Sequence, residues 1–533
     1  MKKEFNKLRI RIEELRRTTK EKAKDITYVD FSNNLDVVLS RANVVIYGRR
    51  GSGKTTLLVK GSYTANDKKS KTVYIQCEIY KDHTYPNLLI NILIQIFEQI
   101  NSDKVMPFTK KWKLKRKLKS DIQILRSYLK TPDEYIIEQD EREVIEEMKK
   151  AEFSIKNELS ALSSSLGDKK LKEINKKYSF EKKKINYLNH NIDRYRQLIN
   201  DYISTEELNA LFLMFDDYYL LNLSDQPFVV DYIFKLCKDQ KVYFKISTIR
   251  HRTNLYIRTI DSKIRGVQEG ADHSTIDLDF NLEQFEKTYS FLVKILNNIT
   301  ISCNINNFTD YFVAGNNGLP RLVWASGGVP RDLLILTGHL LDLTENNTDI
   351  KFDKSMIDKA ANLLFQEKLQ DLSSEYAIDK QIKLFFEKIF KFNLIFNKKT
   401  AFLIKENSVT TDTLNKINNL VDHRLIHKVA SNISLTKYRG PFVAYILDMG
   451  AYSNYLNIKK KENRIKEIDI LREDKYKKDT LLEVRALSTK NELTDEHLKR
   501  SDEFIKKEKE RIKKDSKMSK EYKEIIQKSL FDF

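Results

Sequence analysis

Two short stretches carry residues whose type and spacing can do chemistry. The first is Gly48-Arg49-Arg50-Gly51-Ser52-Gly53-Lys54-Thr55, which fits the pattern GxxxxGK[ST]. Its glycines let the backbone fold around phosphate groups with N–H groups pointing inward. Lys54 would reach the β- and γ-phosphates of ATP, Thr55 would hold Mg²⁺ through its hydroxyl, and Thr56 completes the binding set. The second stretch is Leu211-Phe212-Leu213-Met214-Phe215-Asp216-Asp217, five apolar residues running into paired carboxylates. Asp216 would contact Mg²⁺ through water, and Asp217 would orient or deprotonate an attacking water. An apolar run ending in two aspartates is weak by itself and strong behind a phosphate loop.

Both stretches need a sheet to hold them. Residues 42–47 are a short apolar run that meets the glycine cluster, as a buried strand ending in a loop would. Residues 72–77, 211–215 and 242–246 read as three further strands, rich in β-formers. The apolar helix expected over 87–100 separates the second from the third. Strands alternating with helices indicate a parallel α/β sheet. With 14 Gly and 7 Pro in 533 residues, the composition argues against a turn-rich all-β fold.

Other segments are appended to that core. Phe5, Leu8, Ile12 and Leu15 recur at helical spacing in a basic N-terminal segment. Val144, Met148, Ile155, Leu159, Leu162 and Leu166 form one heptad seam, and Ile185, Leu188, Ile192, Tyr195 and Ile199 form another. The breaker at 163–168 between them predicts an antiparallel helical hairpin over 134–200, each arm about 45 Å long. Residues 281–378 read as mainly helical. Leu414, Ile417, Leu420 and Val421 mark a helix capped near Thr411, and strands over 425–429 and 442–447 follow it. After Gly450 the chain is dominated by Lys and Glu.

The formal charge is +19, and its excess lies in 1–25, 110–200, 380–455 and 456–533. The densest positive run is 110–119, with seven basic residues in ten around Trp112. It would suit a polyanion, or equally a solvated helix face. The three cysteines, Cys77, Cys237 and Cys303, are far apart, so a disulfide framework is not expected and a cytoplasmic location is. No apolar run reaches about 18 residues, so no membrane span is expected. The opening Met-Lys-Lys-Glu-Phe lacks the apolar core of a signal peptide. The eight histidines are scattered without metal-binding spacing.

With its two phosphate-site motifs in order, the chain resembles the AAA+ and STAND group of P-loop ATPases, and within it the origin-recognition-type initiators. The resemblance implies an α/β core with a parallel five-stranded sheet, a helical lid and a winged helix. It places a polar sensor at Ser247 and Thr248, and a nucleotide-sensing arginine at Arg331 within Ser326-Gly327-Gly328-Val329-Pro330-Arg331-Asp332. The trans arginine finger lies among Arg250, Arg252, Arg258 and Arg265. Asp217 stands where the family usually has Glu, which suits slow hydrolysis.

The boundaries that follow are a basic helix over 1–27, an ATPase core over 28–280 with a coiled-coil insertion at 108–200, and a lid over 281–378. A winged-helix domain over 379–455 and a charged helical or disordered tail over 456–533 complete them. The function implied is an ATP-controlled assembly or switch, homo-oligomeric when ATP is bound, in a replication, mobile-element or anti-phage defence setting. DNA would meet the segment 110–119 and the winged helix, through Lys416, Arg424, Lys437 and Arg439, and a protein partner would meet the hairpin. The alternative is a STAND-type signalling switch that senses a protein and does not bind DNA.

Overall fold

The computed structural model describes residues 2–16, 28–30, 32–101, 107–129, 168–258, 264–280, 282–313, 318–344, 350–374, 378–435, 438–453, 492–498, 503, 506–507 and 510. In chain order the elements are α1 (Lys2–Arg16), α2 (Asn34–Leu39), β1 (Val44–Tyr47), α3 (Lys54–Asp67), β2 (Lys71–Gln76), α4 (Asn87–Ile100), α5 (Lys110–Leu129) and α6 (Asp168–Thr205). Then come β3 (Leu211–Asp216), α7 (Gln226–Cys237), β4 (Val242–Thr248), β5 (Tyr256–Arg258), β6 (Ile264–Gly266) and β7 (Ser274–Asp277). The rest is α8 (Phe285–Ser302), α9 (Gly318–Ala325), α10 (Pro330–Leu343), α11 (Lys354–Ser374), α12 (Ile378–Lys391), β8 (Ala401–Ile404), α13 (Thr411–Asp422), β9 (Ile426–Leu435), β10 (Tyr438–Leu447) and α14 (Met449–Tyr452).

The chain forms two compact units. The sheet unit holds Ser32–Tyr47 and Lys54–Asp277, and the helical unit holds Met1–Phe31, Gly48–Gly53 and Leu278–Phe533. In the sheet unit five parallel strands lie in the order β2-β3-β4-β1-β7. Every residue of β1 and β3 is buried, as expected for strands of a parallel sheet covered on both faces. This is the parallel five-stranded α/β core that the resemblance implied, and its fifth strand, β7, carried no apolar run that marked it in the sequence. β5 and β6 form a separate two-stranded antiparallel hairpin.

α4 is apolar nearly all round because it packs against both β2 and α5. α5 turns Leu114, Leu118, Ile122 and Leu125 inward and leaves its charged face outward. α6 covers the segment expected as the second arm of the hairpin; the first seam, 144–166, lies outside the described residues. The α6 seam packs into the core of the sheet unit. Leu188, Tyr195 and Ile199 are fully buried in the core shared with α4, α5 and α7, and the Tyr195 ring meets Phe97 edge-on at 5.2 Å between centroids. Three such side chains contribute roughly 5–9 kcal/mol of transfer free energy, an upper bound. That is comparable to the whole stability of a typical domain, so this arm belongs to the core.

In the helical unit, α1 buries Phe5, Leu8 and Ile12 and packs on α10, with ion pairs from Arg9 to Asp342 at 2.7 Å and Arg16 to Glu367 at 2.9 Å. The basic N-terminal helix is thus docked along its apolar stripe. β8, β10 and β9 form a three-stranded antiparallel sheet with α12 and α13 nearby in sequence. The cap of α13 is Thr410, whose hydroxyl accepts the Thr413 N–H at 3.3 Å, one residue before the expected start. Within the charged tail, residues 492–498 rejoin the fold. Leu493 and Leu498 are buried, Leu493 N–H donates to the Leu403 carbonyl at 2.8 Å, and Asp495 accepts from the Thr413 hydroxyl at 2.6 Å. Residues 456–491 lie outside the described set.

Candidate functional site

The loop Gly48–Gly53 is held by backbone geometry that glycine permits. Gly51 has φ of 87°, and a Cβ there would lie 2.8 Å from Arg331 Cβ and 3.0 Å from Val329 Cγ1. Crowding and positive φ both exclude a side chain at this position. The Arg331 N–H donates to the Gly51 carbonyl at 3.3 Å, and Ser52 N–H donates to the Arg49 carbonyl at 3.2 Å. Arg49, grouped by sequence with the nucleotide-binding residues, is buried and uses its guanidinium elsewhere. It donates to the Phe280 carbonyl at 3.0 Å and the Gly327 carbonyl at 3.2 Å, while its N–H donates to Asp279 at 2.7 Å. Arg50 is half-buried. Ser52 Oγ is buried and has no hydrogen-bond partner among the described residues. A buried hydroxyl without a partner costs about 1–3 kcal/mol, so an acceptor or donor supplied by a ligand fits here.

In the sheet unit, α3 begins at Lys54, which is buried, and Thr55 and Thr56 follow half-buried in its first turn. Asp216 ends β3 and is buried. Its carboxylate accepts from the Tyr74 hydroxyl at 2.5 Å and from the Ser247 hydroxyl at 2.5 Å, one bond to each oxygen. Each oxygen keeps acceptor capacity for a further donor or a cation. Tyr74 sits on neighbouring β2, opposite Met214, and Ser247 on β4 at the other side of β3. Burial, and then the Asp216 carboxylate, push the Tyr74 phenol far above its usual range, so it remains a proton donor. Asp217 follows in the left-handed region with φ of 53°, a conformation Asp tolerates, and its N–H donates to Ser247 Oγ at 3.1 Å. Ser247 therefore ties both aspartates together. Thr248, one residue on, is buried and bonds the Thr253 hydroxyl.

Arg331 enters α10 behind Pro330 and lines a cavity of about 380 Å³ with Arg16, Glu367, Lys368, Asp371 and Arg424. Burial, and then the neighbouring Arg424 charge, lower its pKa. Asp332 is fully buried, paired with Arg424 and with Lys368 at 3.0 Å; Lys368 also reaches Asp448 at 2.7 Å, and His427 Nε2 lies 3.0 Å from Asp448. Burial alone would raise the Asp332 carboxyl, but Arg424 and Lys368 outweigh it and hold it below the usual range. Arg424, one of the cations expected to face DNA, is instead committed to this buried network. A buried aspartate requires a partner, and Arg424 supplies it. Lys416 pairs with Asp412 at 2.5 Å. Lys437 lies outside the described residues, as does the side chain of Arg439.

Of the four arginine-finger candidates, Arg250 packs over the Tyr47 ring at 4.0 Å and faces Glu269 at 3.3 Å, and Arg265 lies 3.7 Å from Asp231. Arg252 is half-buried and Arg258 exposed. In the segment 110–119, Lys111 pairs with Glu206 at 2.8 Å and Lys115 donates to the Asn101 carbonyl at 3.2 Å, while Lys110, Lys113, Arg116, Lys117 and Lys119 are exposed. No cluster of three or more His, Cys, Asp or Glu suited to a metal occurs among the described residues, and none of their helices is long and apolar enough to cross a membrane. The sequence reading missed Tyr74 and the Asp332, Lys368, Asp448 and His427 network. A tyrosine inside a strand carried no signal of its own, and the four network residues are far apart in the chain.

No family model matches the chain, and no curated protein matches it. Among solved structures it is similar to the Walker-type ATPase of Pyrococcus abyssi, at 13% identity over 80% of this chain and 94% of that one, with a TM-score of 0.34. It is similar to the Aeropyrum pernix ORC1 protein in complex with DNA, at 10% identity over 80% of this chain and 91% of that one, with a TM-score of 0.32. It is also similar to a Thermotoga maritima RuvB variant, at 11% identity over 84% of this chain and 99% of that one, with a TM-score of 0.31. All three likenesses are loose.

Proposed function

We propose that this chain is an ATP-binding and ATP-hydrolysing P-loop ATPase of the AAA+ origin-recognition type, acting as an ATP-controlled switch on nucleic acid. The observation that carries the reading is Asp216, placed at the end of a central strand with Tyr74 and Ser247 each donating to one of its oxygens, in a chain that also carries the phosphate-loop motif. Two donors, one on each oxygen of a buried carboxylate, fix its direction.

On this reading the N–H groups of the loop around Gly51, Ser52 and Gly53 hold phosphate oxygens, and the Lys54 ammonium neutralises them. Thr55 and Asp216 would hold Mg²⁺, which supplies charge neutralisation on the phosphates when bound. Asp217 orients the attacking water and takes up its proton. Ser247, bonded to both aspartates, positions them and is a candidate route by which nucleotide state reaches β4. Arg331, adjoining Gly51, is the arginine that responds to the nucleotide. The exposed cations of α5 suit a polyanionic partner, and ATP-dependent self-association is the assembly this reading expects.

Lys54→Ala removes a charge-assisted contact of about 1.5–3 kcal/mol, so ATP affinity should fall about ten- to hundredfold. Calorimetry with Mg-ATP on wild type and variant measures this. Equal affinities would remove the phosphate-loop assignment.

A further inference from the structure

Phe108 is 86% exposed, an unusual state for a phenylalanine beside a well-packed helix. Its ring lies 5.6 Å from the Trp112 ring at an interplanar angle of 35°, and the Arg116 guanidinium lies 4.9 Å from the Trp112 centroid. Trp112 and Arg116 are four residues apart, so they share one face of α5. Lys113 and Lys117, also four apart, form an exposed row beside them. The opposite face of α5 is locked into the core by Leu114, Leu118, Ile122 and Leu125. The result is a short tier of π-faces and guanidinium, edged with ammonium groups, on a rigid support.

We infer that this Phe108–Trp112–Arg116 face is a landing surface for single-stranded nucleic acid, with unpaired bases stacking on the rings and phosphates on Lys113 and Lys117. A stacked base must expose its own π-face, which a base inside a duplex does not, so the rings favour single strands over duplex. The lysines serve either form, because phosphate contacts carry no base information. Anionic lipid also suits rings beside lysines. It is disfavoured because the remaining apolar stripe of α5 is already buried, leaving two rings to insert. The inference rests on the nucleic-acid part of the proposed function and names the form of nucleic acid that this face takes.

The test uses the full chain and fluorescently labelled oligothymidylate of about twenty nucleotides, beside a duplex of the same length, at low salt with ATP present. Oligothymidylate should bind at least about tenfold more tightly than duplex, and Phe108→Ala and Trp112→Ala should each weaken it about tenfold while leaving duplex binding within about twofold. Phe108→Ala alters an exposed ring, so an unchanged melting temperature separates lost stacking from lost fold. Trp112→Phe should retain most of the affinity yet abolish quenching of tryptophan emission by the oligonucleotide, since the other tryptophan, Trp324, is buried. Equal binding of both nucleic acids, or oligothymidylate affinity unmoved by Phe108→Ala, would overturn the single-strand surface and leave nucleic-acid association standing. If neither nucleic acid binds, the association itself falls too. Vesicles of phosphatidylserine captured through Phe108 and Trp112, with no effect of these variants on oligothymidylate, would reassign the face to membrane.

Discussion

Asp217 is held by its backbone: its N–H is tied to Ser247, and its left-handed φ of 53° turns the chain sharply after β3. Its carboxylate differs from the Asp216 carboxylate in being only half-buried. On the proposed reading Asp217 meets water and needs that access, whereas Asp216 faces the metal and needs fixed direction. Asp217→Asn should therefore leave ATP affinity within about threefold and reduce turnover about a hundredfold or more, the range for loss of a general base. Phosphate-release assays at saturating ATP decide this, and wild-type turnover in the variant would move the base elsewhere. Lys245 shows another residue-scale effect. Fully buried on β4, it donates to the Ser40 carbonyl at 2.8 Å and the Ala42 carbonyl at 2.6 Å, and burial brings its pKa down to about 7. In the unfolded chain it titrates near 10.4. Between these values the unfolded state binds more protons, so stability rises as pH climbs from 7 and is lost as pH falls, by at most about 1.4 kcal/mol per pH unit. Denaturant melts from pH 7 to 9 should show this rise, and Lys245→Met should flatten it.

At the scale of elements, α6 marks where a repeat pattern was ambiguous. A heptad seam reads alike whether it meets another arm or the flank of a sheet domain. Leu188, Tyr195 and Ile199 meet the flank. Leu188→Ala should cost about 2–5 kcal/mol in a urea melt, while His190→Ala, exposed two residues on, should cost less than about 0.5 kcal/mol. Replacing all of 134–200 by a short linker removes the whole seam and should abolish soluble folded protein. Equal melts for Leu188→Ala and wild type would show that α6 is dispensable packing. α5 works in the same way on a smaller scale, its leucine row anchoring the helix so that its cations face out.

For the whole molecule, the net charge of +19 forecasts salt-sensitive association with polyanions. The cations are unequal, however. Arg424, Lys111 and Lys115 are spent on protein partners, which leaves Lys113, Arg116 and Lys117 as the exposed set in the middle of α5. Changing these three to Gln should make the slope of log K against log salt on duplex DNA shallower by about 2–3, since each neutralised phosphate contributes about 0.9. Titrations at several salt concentrations measure the slope, and an unchanged value would remove α5 from the proposed nucleic-acid surface.

What the chain determines by itself is what short windows encode. Apolar runs such as Val44–Tyr47 and Leu211–Phe215 read as interior strands, and the phosphate-loop pattern of 48–55 is a property of eight consecutive residues. The parallel sheet followed from these because strands alternating with helices leave few topologies. Tertiary structure alone decided which polar groups meet. Tyr74 and Asp216 are 142 residues apart, and Arg424 and Asp332 are 92 apart. Arg424 carried the same local signal as an exposed DNA-facing cation, and only a buried carboxylate brought up by another helix made it a core residue. Apolar periodicity is written into neighbouring residues because burial is non-directional, whereas the partner of a charge depends on which distant element the fold delivers at hydrogen-bond range.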